Sequence, residues 1–398
     1  MQKIITPICI VGGGPAGLLA SLNLSKNKIH HVLVDKFVFP RDKVCGENFD
    51  GRVKHVFNRV VPGFFDELEN KGVVQFTHEF SIHLTKGVVP IRYNPESTPR
   101  ILAKRIDFDA ALMQKVKESG FVEVIESELI QDFYYEDEGI VFFTKNLEVK
   151  ASLGLVACGY QSGLIKNRKL EKHTYFFYRA YYKNIAPIYP VRTIETYYFD
   201  KPYRCCLLIC PIPNGEFNVE VGIKKEDYLQ LKIRMEDLLD YFIQNHPELQ
   251  QRFNNSICIQ KPKGVHLPIT TQHKIFTDKN IIYIGASSFC VNPITGMGVG
   301  NAMVMAEEAS NLAVDCVAQN DFSDKKLRVY EKAIRKRLRN PLIANYVVNL
   351  FFKHLNITAP VLLLLIRTKL MVNLLNKQDF LKNLLNPLYY FKTLVKPK

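Results

Sequence analysis

Gly12, Gly14 and Gly17, with Pro15 and Ala16 among them, stand where an apolar run at residues 4–11 gives way to a helical pattern at 18–24. A second apolar run, His31–Val34, then ends in Asp35. Glycines at this spacing have separable jobs: Gly12 permits a tight turn, Gly14 lets a pyrophosphate approach a helix N-terminus, and Gly17 lets the helix pack on the strand. Asp35, eighteen residues past Gly17, is placed to accept hydrogen bonds from a ribose diol. The implied chemistry is the holding of a dinucleotide by backbone N–H groups, and the spacing leaves NAD and FAD both open.

A second glycine-punctuated stretch, "IIYIGASSFCVNPITGMGVGNAM" at residues 281–303, carries Pro293, Gly296, Gly298 and Gly300 and no charged side chain. It runs from a buried strand into a turn and a small-residue helix, the form of a ligand site built from backbone. Between the two glycine stretches, residues 172–260 alternate and are rich in aromatic and β-branched residues, as strands require. "CPIPNGEFNVEVGI" reads as two strands joined by an Asn214-Gly215 turn. The aromatic run from Tyr175 to Phe199 reads as sheet core and cross-strand pairing before it reads as a substrate box. Residues 225–253 are expected to form one helix returning the chain to the first lobe.

These patterns need positioning elements, and 398 residues supply enough for two lobes. A composition of 47% hydrophobic and 23% charged residues is that of an ordinary globular protein. Nine cysteines, an odd number without a CxxC pair, and an N-terminus that enters a strand point to a reducing, cytoplasmic setting. Cys205, Cys206 and Cys210 match no common metal spacing, so no metal site is expected. The formal charge of +14 is concentrated: from Glu331 onward thirteen Lys/Arg face two acids. This region, 331–398, is also apolar and Pro-broken, too interrupted for the roughly 20 uncharged residues of a membrane span. It is expected to pack as a basic helical element that also permits peripheral contact with an anionic membrane. No nucleic-acid recognition module accompanies the charge.

Five segments in order, the first glycine turn, "FPRDKVCGENFD", "LAKRIDFDAALM", "LGLVACGYQSGLIK" and the second glycine stretch, give the chain a resemblance to a known family. It resembles, over residues 4–310, the FAD-dependent oxidoreductase superfamily of geranylgeranyl reductases, aromatic hydroxylases (FAD-binding monooxygenases) and flavin-dependent halogenases. "PRDKVCGE" at 40–47 is most similar to the geranylgeranyl-reductase-like branch. The resemblance implies an α/β fold, α+β overall: a Rossmann-like FAD/NAD(P)-binding domain from 1–75, 100–170 and 262–330, and an inserted, mainly antiparallel β substrate domain from 76–99 and 171–261. A helical C-terminal element completes it.

The resemblance also implies site residues. Ala16 would face the pyrophosphate and Asp35 the adenosine ribose, while Cys45, Gly46 and Asn48 lie along the flavin. Arg105 would pair with the pyrophosphate, Leu129 would meet adenine through its backbone, and Gly298 and Val299 would present N–H groups to the isoalloxazine edge. Two departures stand out: relatives carry aspartates where this chain has Ala286, after Gly285, and Cys158. Cys45 is the one catalytic candidate, since His173, His266 and His273 belong to no motif and no acid–base pair is evident. The implied activity is transfer of hydride or electrons between FAD and a hydrophobic isoprenoid, lipid or polyketide-like substrate, with NADPH or NADH as electron donor. A monooxygenase hydroxylating an aromatic or polyketide substrate is the alternative, and a flavin- or lipid-binding protein without turnover is a third reading. Halogenases of the superfamily carry a Trp-rich signature and this chain has no tryptophan, which argues against halogenation.

Overall fold

The computed structural model describes residues 2–353 apart from 85–86, 93–98, 161, 166–173, 190–191, 200–204, 269–275, 289–290 and 292–295. Pro293 and the basic tail beyond Lys353 therefore lie outside the described residues.

β1 (Gln2–Val11) begins half-exposed and ends in four consecutive buried residues, the pattern of a strand covered on both faces. It lies inside an eight-stranded sheet, between β2 (His31–Val34) and β11 (Leu147–Val156), both parallel to it. β8 (Val122–Ile125) continues the parallel set beyond β2, and β18 (Ile281–Tyr283) continues it beyond β11. β17 (Thr277–Asp278) and the hairpin of β9 (Asp132–Glu136) and β10 (Gly139–Phe143) add antiparallel strands. α1 (Pro15–Lys26) connects β1 to β2. It starts at Pro15, earlier than the expected Leu18, because proline at the first helical position loses only an N–H that has no partner in the helix. α2 (Arg52–Val60), α4 (Arg105–Lys117) and α8 (Val299–Gln319) pack around α1, and α9 (Asp324–Lys353) packs on α8. α9 buries Leu327, Tyr330, Ile334 and Leu338 on one stripe and exposes Lys325, Arg328, Lys332, Arg335 and Lys336. No helix among the described residues is long and apolar enough to cross a membrane.

The second sheet has seven strands, in the order β16 (Ile257–Pro268), β12 (Thr174–Lys183), β15 (Glu216–Lys224), β14 (Cys205–Ile212), β13 (Thr193–Phe199), β5 (Glu79–Leu84) and β6 (Gly87–Arg92). All its pairings are antiparallel except that of β13 with β5. β14 and β15 are joined as expected, with Asn214 (φ 67°) and Gly215 (φ 69°) both left-handed. Strand alternation splits the sheet. Phe176, Tyr178, Tyr182, Val219, Val221 and Ile223 enter a hydrophobic core capped by α5 (Lys225–Gln230), α6 (Leu238–Gln244) and α7 (Pro247–Phe253). A three-stranded sheet of β3 (Asn48–Phe49), β7 (Arg100–Leu102) and β4 (Gln75–Thr77), followed in the chain order by α3 (Phe64–Asn70) between β3 and β4, completes the framework.

The single helix expected over 225–253 is instead three short ones. Leu231 adopts an extended conformation (ψ 110°), and Pro247 can only begin a helix, not continue one. The chain then enters β16 of the same sheet, so the expected division at residue 262 falls within a strand.

α7 is fastened to the sheet by a buried ion pair: Arg252 donates from Nη1 and Nη2 to the two oxygens of Glu195 at 2.7 and 2.8 Å, and Nε donates to the Ala186 carbonyl. Removing one partner of such a pair strands the other charge in a low-dielectric interior. Arg252→Ala is expected to destabilise the protein by about 3–5 kcal/mol, read from urea unfolding midpoints. Arg252→Lys, which keeps the charge but loses the fork, is expected to cost less.

Candidate functional site

The first glycine turn follows from what its neighbours allow. Gly12 has φ +107°, and a Cβ there would lie 2.7 Å from the Ala157 carbonyl oxygen. A Cβ on Gly17 would collide with the Gly12 carbonyl, so helix and turn are in direct contact. Gly14 is the opposite case: no atom lies within 4 Å of the place a Cβ would take. The turn is thus closed behind and open in front, at the N-terminus of α1, where the helix dipole favours an anion.

Asp35 is buried at the end of β2, where one oxygen accepts from Gly13 N–H at 2.6 Å and the other from Phe37 N–H at 2.8 Å. It therefore shapes the turn itself, and a ribose would have to share these oxygens. Leu129 is 57% exposed and follows Glu128, whose N–H donates to the Asp35 carbonyl at 3.0 Å. Arg105 is buried, with Nε and Nη2 bound to the Asp109 carboxylate at 2.7 and 2.6 Å. Only Nη1 lies outside that pair for the expected phosphate contact. Arg41, which sequence reading did not single out, is the cation on the turn: Nη2 donates to the Gly13 carbonyl at 3.3 Å, Nη1 is 3.4 Å from Asp109, and its buried Nε has no partner. Lys43 is held below the ordinary lysine range by desolvation and by Arg105 and Arg41. Two arginines share one aspartate and Lys43 lies close enough to sense both, a surplus of positive charge beside an open glycine that fits a diphosphate.

The second glycine stretch closes on the first. Gly285 (φ +67°) sits where a Cβ would be 3.4 Å from Ala16 Cβ and 3.3 Å from Ala302 Cβ. Ala286 is half-buried in the same turn, next to Ser287, whose Oγ is 3.7 Å from Cys158 Sγ. Both positions that lack the aspartate thus adjoin the glycine turn, since a Cβ on Gly12 would also meet Cys158 Cα. Gly298 caps α8 ahead of Val299, and the Asp50 carboxylate occupies the space beside Gly300 in the first turn of that helix.

Cys45, Gly46 and Asn48 run between this region and the seven-stranded sheet. A Cβ on Gly46 would stand 3.1 Å from Leu208 Cδ2 and 3.5 Å from Glu220 Oε1, and one on Gly296 would stand 3.8 Å from the Phe177 ring. Phe177 pairs with Gly222, Arg179 with Glu220, and Tyr181 with Asn218 across β12 and β15, so these residues share the face turned to the two glycine segments. This face is not wholly apolar. Arg179 is fully buried, bound to Asp42 Oδ1 at 2.6 Å and Gln260 Oε1 at 3.0 Å. Glu47 is buried in the left-handed region (φ 56°), accepting from Tyr181 OH at 2.8 Å and Arg105 N–H at 2.5 Å. The alternation that puts Phe176 and Tyr178 in the core necessarily turns Arg179 toward the site, a signal that was present in the sequence. Burial raises the Cys45 thiol to about 11, so it is neutral.

Residues 5–140 match the model of the FAD binding domain family. The chain carries an FAD binding domain. Its fold is that of the FAD-dependent oxidoreductases, shared with a geranylgeranyl bacteriochlorophyll reductase-like protein of Thermoplasma acidophilum (TM-score 0.77, 18% identity, 99% of this chain and 97% of the other). A digeranylgeranylglycerophospholipid reductase of T. acidophilum is 28% identical over 34% of this chain, and the match spans only 33% of that protein's length. One from Methanosarcina acetivorans is 24% identical over 89% of this chain and 86% of its own. A 1H-pyrrole-2-carbonyl-[peptidyl-carrier protein] brominase of Pseudoalteromonas luteoviolacea is 23% identical over 79% of each chain. FAD is accordingly the cofactor, and the open face of Gly14, the unpaired Arg41 Nε and the surplus of cations fit its diphosphate.

Gly14 is extended (φ −77°, ψ 177°) and caps α1, a position serine accepts. Gly14→Ser is expected to leave the melting temperature of the flavin-free protein within about 2 °C while weakening FAD binding at least about tenfold, measured by flavin fluorescence. Gly17→Ala, by contrast, forces a methyl into Gly12 and is expected to destabilise by about 1–3 kcal/mol or more.

Burial raises the Glu47 carboxyl to about 8, against the hydrogen bond from Tyr181 and the charges of Arg179 and Arg105. The folded chain then keeps a proton that the unfolded chain, with a carboxyl near 4.5, has released. Stability falls accordingly as pH rises between those values. Glu47→Gln, whose amide can serve both partners, is expected to become progressively more stable than wild type from pH 4.5 to about 8, followed by thermal unfolding of the flavin-free protein.

Proposed function

We propose that this chain is an FAD-dependent oxidoreductase of the geranylgeranyl-reductase-like branch, saturating carbon–carbon double bonds of a hydrophobic isoprenoid or lipid substrate. The observation that carries the reading is the setting of the "PRDKVCGE" segment: Arg41 reaches the first glycine turn while Gly46 abuts Leu208 and Glu220 of the seven-stranded sheet, so the segment bridges the two. The similarity to digeranylgeranylglycerophospholipid reductases supports the substrate class. When bound, FAD supplies the hydride and electron chemistry. The chain's own residues would hold and enclose it: the first turn and Arg41 would receive the diphosphate, Gly296 and Gly298 would let backbone approach the ring, and Phe177 and Leu208 would exclude water from the site. Peripheral contact of the exposed basic face of α9 with an anionic membrane would bring the enzyme to such a substrate.

The brominase similarity favours a second reading, oxygen-dependent chemistry on an aromatic substrate, although the chain lacks tryptophan altogether. One experiment separates them. Protein reconstituted with FAD and reduced by dithionite without oxygen is mixed with digeranylgeranylglycerophospholipid, and the lipid is analysed by mass spectrometry. Addition of two hydrogens per double bond is expected. Absence of reduction there, together with oxygen uptake and a brominated or hydroxylated product when the reduced protein is instead mixed in air with bromide and an aromatic substrate, overturns the reductase reading. Bleaching of the flavin by NADPH or NADH identifies the donor.

A further inference from the structure

Among the described residues, Glu220 differs from Asp35, Asp42, Glu47, Asp50 and Asp109, each of which has a hydrogen-bond or ion-pair partner. It is on β15, on the face turned toward Gly46, with Oε1 3.5 Å from where a Cβ of that glycine would be. It is partly exposed to the space in front of the sheet, and no hydrogen bond or ion pair within normal distance reaches it among the described residues. Its surroundings explain why it is not neutralised. Arg179, its cross-strand neighbour, is committed to Asp42, which Lys263 also holds at 2.6 Å. Leu208 lies on its other side, and the groups that sense its charge, Cys45, Cys206 and Cys210, are thiols kept neutral by burial. Glu47 is turned away to Tyr181 and Arg105. Two residues along the strand, Asn218 faces the same way, fully buried with both amide atoms unpaired. Burial raises the Glu220 carboxyl to about 7, Arg179 opposing. A carboxyl in this state is a proton donor at neutral pH.

Gly46 and Gly296 meet the sheet at adjacent same-face pairs, Arg179/Glu220 and Phe177/Gly222, so Glu220 overhangs the gap between the two backbone segments. We propose that Glu220 is the general acid of the reaction, delivering a proton to the substrate carbon that does not receive hydride. This rests on the reductase reading above. Saturating a double bond takes a hydride on one carbon, from the two-electron-reduced flavin, and a proton on the other. The Glu220 O–H bond breaks as the new C–H bond forms, the double bond becomes single, and the carboxylate left behind, facing Arg179, is reprotonated from solvent.

The test uses full-length protein and Glu220→Gln. Infrared difference spectra of the flavin-free protein across a pH titration are expected to show a carboxyl band lost near pH 7, absent from the variant. With the dithionite-reduced holoprotein and digeranylgeranylglycerophospholipid, single-turnover reoxidation is expected to fall about 10²–10⁴-fold in Glu220→Gln, with FAD affinity and flavin reduction unchanged. The wild-type rate is expected to decline above about pH 7 as the acid form is lost, and the variant to lack that decline. A Glu220 that titrates like a surface glutamate, or a variant reducing the lipid at the wild-type rate, overturns the assignment. Wild-type protein that leaves the lipid unchanged overturns the reductase reading and the proton transfer with it, whereas the infrared titration reports on the carboxyl regardless of turnover.

Discussion

One carboxylate joins the two halves of this molecule. Glu47, in a left-handed conformation that few side chains tolerate, reaches Tyr181 on the seven-stranded sheet with one oxygen and the first N–H of α4 with the other. That N–H is one of the helix-end donors that lack a partner within the helix. By filling it, Glu47 ties the helix that carries Arg105 and Asp109 to the strand that carries Arg179. The backbone of Cys45, Gly46 and Asn48 is held between them, and the spacing between the glycine turns and the sheet depends on this contact. Burying a carboxyl without a matched cation is costly, so the arrangement keeps it largely protonated near neutral pH.

Charge in this region is distributed by burial and by who is already paired. Arg105 is neutralised by Asp109 and Arg179 by Asp42, leaving Arg41 and Lys43 with the unbalanced positive charge near the open glycine. On the sheet side Arg179 is matched by Asp42, and burial of Glu220 limits its negative charge near neutral pH. Positive charge is thus concentrated near the first glycine turn and sparse beside Glu220.

Much of the framework was legible in the sequence because its signals are local. The glycine spacing, the βαβ pattern through Asp35, and the Asn214-Gly215 hairpin each follow from a few consecutive residues whose backbone requirements are steep. The helix over 225–253 was misread because apolar periodicity outweighed Leu231 and Pro247, which interrupt it. Arg41, Glu47 and Glu220 were missed for another reason. Arg41 and Glu47 sat within a noticed motif, but their roles depend on partners such as Asp109 and Tyr181, far away along the chain. Glu220 matters because of the partner it lacks, and a missing partner has no sequence signature. Alternation along β12 and β15 did contain the clue that polar residues would share one face, opposite the aromatic core.

The hairpin between β14 and β15 governs more than a change of direction. A strand has two faces and a period of two, so its register decides which residues are seen from which side. The left-handed pair Asn214 and Gly215 fixes Ile212 opposite Glu216, and every later pairing follows, Leu208 with Glu220 among them. Shortening that turn by one residue would send Glu216, Asn218 and Glu220 into the hydrophobic layer and present Val219 and Val221 to the cleft. The chemical identity of the cavity is therefore inherited from two residues at the tip of a loop, and variation there would alter which reactions the same scaffold could support without replacing any cleft residue.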